Sequence, residues 1–281
     1  MPRYYQWLII ILIWLNVLLW TAVFGALNPG LEVTFFDVGE GDSVFIETPR
    51  HYQIVVDGGP SSTTLLKKIN QELPFWDRHL DLMVLTHPDK DHLAGLLPVF
   101  KYYEVEKVLW TGVVKETAIY QEWRQVLEEA GSEVVIAAED QDLESPQVYF
   151  DVLYPFLSFN RQTFSDYNGT SVVMKVVYQG GQFLLTGDIS ETIENKLIRE
   201  EVDLQSDILK VAHHGSQSST GRSFLNAVRP QMAVISVGEN SYGHPDKAVL
   251  NRLKDYGITT LRTDQEGDIK IKFNNQKYFL E

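Results

Sequence analysis

Thr86-His87-Pro88-Asp89-Lys90-Asp91-His92-Leu93-Ala94-Gly95 is the stretch that decides the fold of this chain. The apolar run Leu82-Met83-Val84-Leu85 stands before it and reads as a buried strand. Residues 93–103 read as a helix. Two histidines and two aspartates therefore sit on the turn where a strand feeds a helix. Imidazole nitrogens and carboxylate oxygens suit a divalent first-row cation. A helix N-cap would explain one such residue, not four within six positions.

Working outward, acidic or histidine residues follow a predicted strand three more times. Asp57 comes after Gln53-Ile54-Val55-Val56 and before Gly58-Gly59. Asp188 comes after Leu184-Leu185-Thr186-Gly187, and His213-His214-Gly215-Ser216 after a strand over 208–212. A turn former would explain Asp57 and an N-cap would explain Asp188, each taken alone. Five of the seven histidines (His87, His92, His213, His214 and His244) fall on such loops. Strand ends at one edge of a layered fold converge in space, so these loops predict one shared metal site. Neighbouring side chains on an extended segment point to opposite faces, so one of His213 and His214 is expected to be a core residue.

The rest of the chain supports a large α/β domain. Its 281 residues can bury a substantial core. The formal net charge of −14 leaves no basic footprint, so a nucleic acid would have to be held locally rather than by bulk attraction. There is no cysteine, which excludes disulfides, thiol catalysis and thiolate ligands. Strand-rich segments alternate with βα units, twice over. That order predicts an α/β fold with two mixed sheets packed together and helices outside, a four-layer αββα sandwich. Residues 139–145 read as an acidic loop, and Gln179-Gly180-Gly181 as a hairpin turn.

Residues 7–27 are a different material, nearly all Ile, Leu, Trp, Val and Ala. About 20 apolar residues suffice for a membrane-spanning helix. Arg3 precedes the run and the next basic residue is Arg50, so the bias of positive charge places the N-terminus inside and the domain outside. A cleaved signal peptide is the rival; its best site, after Ala26, has Phe24 where a small residue is wanted. The expected organisation is a single-pass anchor over 1–28 in the cell membrane and an extracytoplasmic domain over 29–281.

With Asp57-Gly58-Gly59 before it, His87-Pro88-Asp89-Lys90-Asp91-His92 resembles the signature of the metallo-β-lactamase superfamily, with Asp89 in place of its second histidine. Together with Asp37-Val38-Gly39-Glu40-Gly41-Asp42, Leu184-Leu185-Thr186-Gly187-Asp188, His213-His214-Gly215-Ser216 and Tyr242-Gly243-His244-Pro245, it resembles the C-terminal domain of ComEC-type DNA-uptake proteins. The resemblance covers about residues 31–275 and implies a metallo-β-lactamase-like sandwich with two divalent ions. His87 and Asp89 would hold one ion. Asp91, His92 and His213 would hold the other, with His214 the alternative, and Asp188 would bridge them. Asp57 would steady the ligands from behind. The superfamily's further histidine is missing between His92 and His213, and Asn168 or a water is the candidate for that place. Asp89 hardens the donor set, so Mn²⁺ rivals Zn²⁺.

The resemblance further implies hydrolysis of a phosphodiester, with single-stranded DNA as substrate and a separate DNA-uptake channel as partner. Asp91 would take a proton from the attacking water, while His244 and Ser216 would contact the phosphate or the leaving oxygen. Two other functions stay open: a surface hydrolase of a small phosphodiester or other ester, and a metal-poor binding domain without catalysis.

Overall fold

A computed structural model describes residues 3–27, 30–138, 143–145 and 147–281 of the chain. The apolar N-terminal stretch forms helix α1 (Arg3–Leu27). Its described side chains, residues 4–20, are all exposed. Among the described residues no helix is long and apolar enough to cross a membrane. The anchor–domain break expected at residues 28 and 29 lies outside the described residues.

The first half then runs β1 (Leu31–Phe35), β2 (Val44–Glu47), β3 (Gln53–Val56), α2 (Thr64–Glu72) and β4 (His79–Leu85). Two single helical turns follow, α3 (Lys90–Leu93) and α4 (Val99–Tyr102), then β5 (Glu104–Trp110), α5 (Ala118–Ala130) and β6 (Glu133–Ile136). The second half opens with strands β7 (Leu143–Ser145), β8 (Val148–Tyr154), β9 (Val173–Tyr178) and β10 (Gly181–Leu185). It continues with α6 (Glu191–Arg199), β11 (Ile208–Lys210), α7 (Arg222–Val228), β12 (Met232–Ile235) and α8 (Lys247–Asp255). The chain ends with β13 (Thr259–Arg262), the turn α9 (Thr263–Glu266), β14 (Ile269–Asn274) and β15 (Lys277–Leu280).

The strands make two mixed sheets. One has the order β15-β14-β1-β2-β3-β4-β5-β6, the other β13-β12-β11-β10-β9-β8-β7. Three apolar layers show how they stack. The middle layer takes Leu31, Val33 and Phe35 from one sheet and Phe150, Val152 and Met174 from the other. An outer layer joins Met83 and Leu85 to Leu65 and Ile69 of α2 and to Tyr120, Trp123 and Leu127 of α5. The third joins Leu184, Leu209 and Ala233 to Leu197, Phe224 and Val249 of α6, α7 and α8. The alternation along β4 explains its place: Leu82 and Val84 face the middle layer, Met83 and Leu85 the helices. The architecture is the expected αββα sandwich. Helix α5 shows why the pattern was readable. Its apolar positions are three and four apart, Thr117 accepts from the N–H of Tyr120, and Gly131 closes it at φ 73°.

Two expectations are corrected. The helix expected over 93–103 is broken into α3 and α4. Gly95 lies against the backbone of Gly58, where an added Cβ would stand 1.8 Å from the Gly58 carbonyl oxygen, and its N–H donates to the Gly59 carbonyl at 3.0 Å. That contact spends a donor outside the helix, and Pro98 removes another. Of the acidic loop expected over 139–145, residues 139–142 lie outside the described residues, and Leu143–Ser145 pairs with β8 as an edge strand.

Candidate metal centre

The site lies where β1, β3, β4, β10 and β11 finish. Asp57 leaves β3 with φ 58°, a left-handed conformation that turns its carboxylate back under the next loop. There it accepts from the N–H of Thr86 at 2.8 Å, from Thr86 Oγ1 at 2.7 Å and from His92 Nδ1 at 2.7 Å. Fixing Nδ1 in this way aims His92 Nε2 at the cleft. His214 is oriented likewise, donating from Nδ1 to the Ser236 carbonyl at 2.9 Å.

Four donors then meet. Asp188 Oδ2 is 3.4 Å from both His92 Nε2 and His214 Nε2. Asp91 Oδ2 is 3.4 Å from His214 Nε2 and 3.8 Å from His92 Nε2. A tetrahedron with arms of about 2.1 Å has edges of about 3.4 Å. The atoms Asp91 Oδ2, His92 Nε2, Asp188 Oδ2 and His214 Nε2 thus already stand at ligand spacing. The nitrogens His92 Nε2 and His214 Nε2, with His87 Nε2 and Asp188 Oδ1 beside them, are buried without a hydrogen-bond partner. Buried polar atoms rarely stay unpaired, so the donor set fits a divalent cation.

The charges agree. Burial would raise the carboxyl of Asp188, but His214 and His92 more than reverse this and hold it well below the usual range. Asp91 is also held low, its burial outweighed by the adjacent His214 and the charge of His92. Burial would lower His92 and His214; the surrounding carboxylates, Asp188 first, instead raise both well above an ordinary imidazole. His87 is pushed down by burial and then by the charge of His92. It therefore stays in the neutral form that binds metals.

The other expected residues are placed differently. His213 is 26% exposed, its Nε2 lies 4.0 Å from Asp188 Oδ2, and Asn168 Nδ2 approaches that nitrogen at 3.3 Å. Of the two adjacent histidines, His214, the alternative under the resemblance, joins the tight cluster, and both line the cleft. The segment is not extended. His213 and His214 have φ of 50° and 52° in a tight turn, so their rings do not alternate between opposite faces. Asp89 is ion-paired with Lys115, whose Nζ lies 4.6 Å from the centre of the Tyr167 ring. Among the described residues, His87, Asp89 and His213 do not come together as one donor group. Ser216 shares a hydroxyl hydrogen bond with Ser218 at 3.1 Å and is not among the residues that line the cleft. His244 does line it, held through Nδ1 by Glu40 at 3.2 Å.

Sequence reasoning missed Asp42 and Lys210. Asp42 sits beneath the centre with Oδ1 3.3 Å from His214 Nδ1, and its other oxygen is ion-paired with the buried Lys210. Lys210 Nζ also lies 4.0 Å from Asp188 Oδ1. The signal was present: one lysine in the apolar run Ile208-Leu209-Lys210-Val211-Ala212 must find a buried anion. Above the centre opens a cleft of about 460 Å³, lined by Glu40, Lys90, Asp91, His213, Tyr242 and His244 among others.

A two-sheet sandwich whose strand-end loops gather histidines and aspartates defines a class of metal-dependent hydrolases, and comparison agrees. The family model of the Metallo-beta-lactamase superfamily matches residues 36–239, and the chain belongs to that superfamily. Among its relatives is ComE operon protein 3 of Bacillus subtilis, 29% identical over 90% of this chain and 34% of the relative. Competence protein ComA of Neisseria gonorrhoeae is 33% identical over 85% of this chain and 32% of its own length. Recombination protein 2 of Haemophilus influenzae is 28% identical over 88% and 29%. These are the ComEC-type proteins that the motifs resemble, and the chain spans about a third of their length. The crystal structure of the metallo-β-lactamase fold protein YhfI from Bacillus subtilis has the same fold, with a TM-score of 0.58 at 12% identity, covering 86% of this chain and 99% of YhfI. Zn²⁺-bound PqqB from Methylobacterium extorquens aligns with a TM-score of 0.56 at 12% identity, over 86% of this chain and all of PqqB.

Proposed function

We propose that the chain is a metal-dependent phosphodiesterase that cleaves DNA at the cell surface. The observation that carries this reading is the donor set of Asp91, His92, Asp188 and His214, at tetrahedral spacing beside an open cleft. A divalent cation held there, Zn²⁺ or Mn²⁺, would supply Lewis-acid polarisation of a phosphoryl oxygen and an acidified water. The remaining work falls to the protein. Asp57 and Ser236 keep both imidazoles turned toward one point. Asp91 is the ligand most open to the cleft, so its carboxylate is the acceptor for a water proton. His244, held by Glu40, serves the leaving oxygen. Lys90 adds positive charge at the cleft, and Tyr242, exposed and stacked beside His244, offers a face for a base. A second cation would draw on His87, Asp89, Asp188 and His213, with Asn168 beside them, once Lys115 releases Asp89.

The competence proteins among the relatives support a role in DNA uptake; the substrate we propose is DNA in its single-stranded form, and the partner a separate uptake channel. The apolar sequence over residues 7–27 supports single-pass anchoring, and Arg3 ahead of it supports a hydrolase domain outside the cytoplasm. The test is a cleavage assay of the full chain with single-stranded DNA and with a small bis-phosphodiester, in Mn²⁺ or Zn²⁺. DNA cleavage that stops with a chelator and in Asp188→Asn is the expected result. Turnover of the small ester alone would replace DNA as the substrate. No turnover of either, with less than one ion bound per chain, would make the domain a non-catalytic binder.

A further inference from the structure

The end of the molecule opposite the metal centre carries its own surface. Strand β1 is antiparallel to β2, β2 is antiparallel to β3, and β3 is parallel to β4 and β4 to β5. Hence β1, β3, β4 and β5 all start at one end, and the metal loops leave from the other. That starting end collects Leu31, where the domain begins after α1, and the β2–β3 hairpin with exposed Arg50. It also collects the loop 73–78 before β4, and Tyr102 just before β5.

Three large aromatic side chains stand out of this end. Phe75 is 78% exposed, Trp76 73% and Tyr102 52%. Phe75 and Trp76 pack edge to face, with ring centres 4.9 Å apart. Their loop is tied to the start of the domain by an ion pair. Lys270 Nζ bonds Glu72, just before the loop, at 2.5 Å and reaches Glu32, just after Leu31, at 3.7 Å. The C-terminal end of α1 is close by connectivity, because the three residue steps from Leu27 to Gly30 span at most about 11 Å.

We infer that the Phe75–Trp76 loop, with Tyr102, rests on the lipid surface into which α1 inserts and turns the catalytic cleft away from the bilayer. The inference rests on reading α1 as a membrane anchor. Trp and Tyr favour the headgroup boundary, where a ring is half buried and its polar atom stays wet, and an exposed Phe gains there by burying its apolar ring. The chemistry points to a zwitterionic surface. Glu104 and Glu106 are exposed at the same end as Arg50 and Lys101, so the local charges offset one another, and the chain as a whole is acidic, so anionic headgroups add little attraction. Asp77 is occupied within the fold, accepting from Gln53 Nε2 at 2.8 Å.

The chain has no cysteine, so one introduced thiol is a unique reporter. Phe75→Cys carries a fluorophore at the proposed surface, with Trp76→Cys as a second reporter there. Leu157→Cys is the control, since it is equally exposed at 78% and follows β8, which finishes at the metal-centre end. Each labelled full-length chain is reconstituted into phosphatidylcholine vesicles containing a lipid with a nitroxide near its headgroup. The expected result is flotation of all three, with quenching several-fold stronger at 75 and 76 than at 157. Flotation with equal quenching at the three positions overturns the docking surface and leaves the anchor standing. Failure to float overturns the anchor and the docking together, while the DNA-cleavage assay still reports on the catalytic reading by itself.

Discussion

His92 donates from Nδ1 to Asp57 Oδ2 over 2.7 Å, with both side chains buried. This bond joins the Asp-Gly-Gly turn after β3 to the histidine-rich turn after β4, and it fixes which nitrogen of His92 faces the cleft. Asp57→Asn keeps the shape but loses a charge-assisted acceptor. Metal affinity should fall about 10–100-fold, as for other partners behind a ligand. Competition with a fluorescent chelator measures this, and circular dichroism checks that the fold is kept. Unchanged affinity would show that packing alone orients His92.

Lys210 is a buried cation whose ion-pair partner Asp42 is also buried. Lys210→Met leaves a carboxylate without its counter-charge beneath His214. Removing one member of such a pair costs about 3–5 kcal/mol. The urea midpoint should drop accordingly, and the double variant Asp42→Asn/Lys210→Met should recover part of the loss. A double variant no better than Lys210→Met would show that the loss comes from packing rather than charge.

The layers and the ligand-bearing loops were legible because both follow local rules. Period-two alternation put Leu82 and Val84 against one layer and Met83 and Leu85 against another, and polar residues after each strand marked the converging edge. Three things were not legible. The choice between His213 and His214 depends on two successive left-handed residues, and nothing in His213-His214-Gly215 forces the backbone out of an extended form. The break between α3 and α4 depends on Gly95 meeting Gly58, a contact between residues 37 positions apart that no local pattern carries. Asp42 failed for a related reason: its role appears only when Lys210 arrives from the other sheet.

Glu194 of α6 ties down the turn that follows the second histidine pair. Its carboxylate accepts from the N–H of Thr220 and, at 2.8 Å, from that of Gly221. Burial pushes its pKa up to about 7, against the pull of these two donors. A carboxyl with a raised folded pKa binds its proton more tightly in the folded state than in the unfolded chain. Its contribution is therefore full below the ordinary value of 4.5 and is lost as pH rises through about 7. Glu194→Gln removes that dependence. The stability of the parent relative to the variant should fall between about pH 5 and about pH 8, read from urea midpoints at both. A constant difference would mean that Glu194 is ionised throughout.

The two neighbouring histidines separate most sharply by metal binding. His214 Nε2 stands 3.4 Å from both Asp91 and Asp188, is buried, and has its other nitrogen held by Ser236. His213 Nε2 is 4.0 Å from Asp188 and faces Asn168. Its pKa is lowered, chiefly by burial, and Asp188 only partly opposes this. His214→Ala should therefore weaken the first bound ion by more than the about 10–100-fold that an outer partner is worth. His213→Ala should leave that ion in place and affect only a second, weaker one. Titration of the full chain with Mn²⁺ or Zn²⁺, read by the heat of binding and by the ion content after dialysis, distinguishes them. Loss of the tighter ion in His213→Ala, with His214→Ala unaffected, would return the ligand role to His213 and require the turn at Ala212–Gly215 to rearrange when the cation binds.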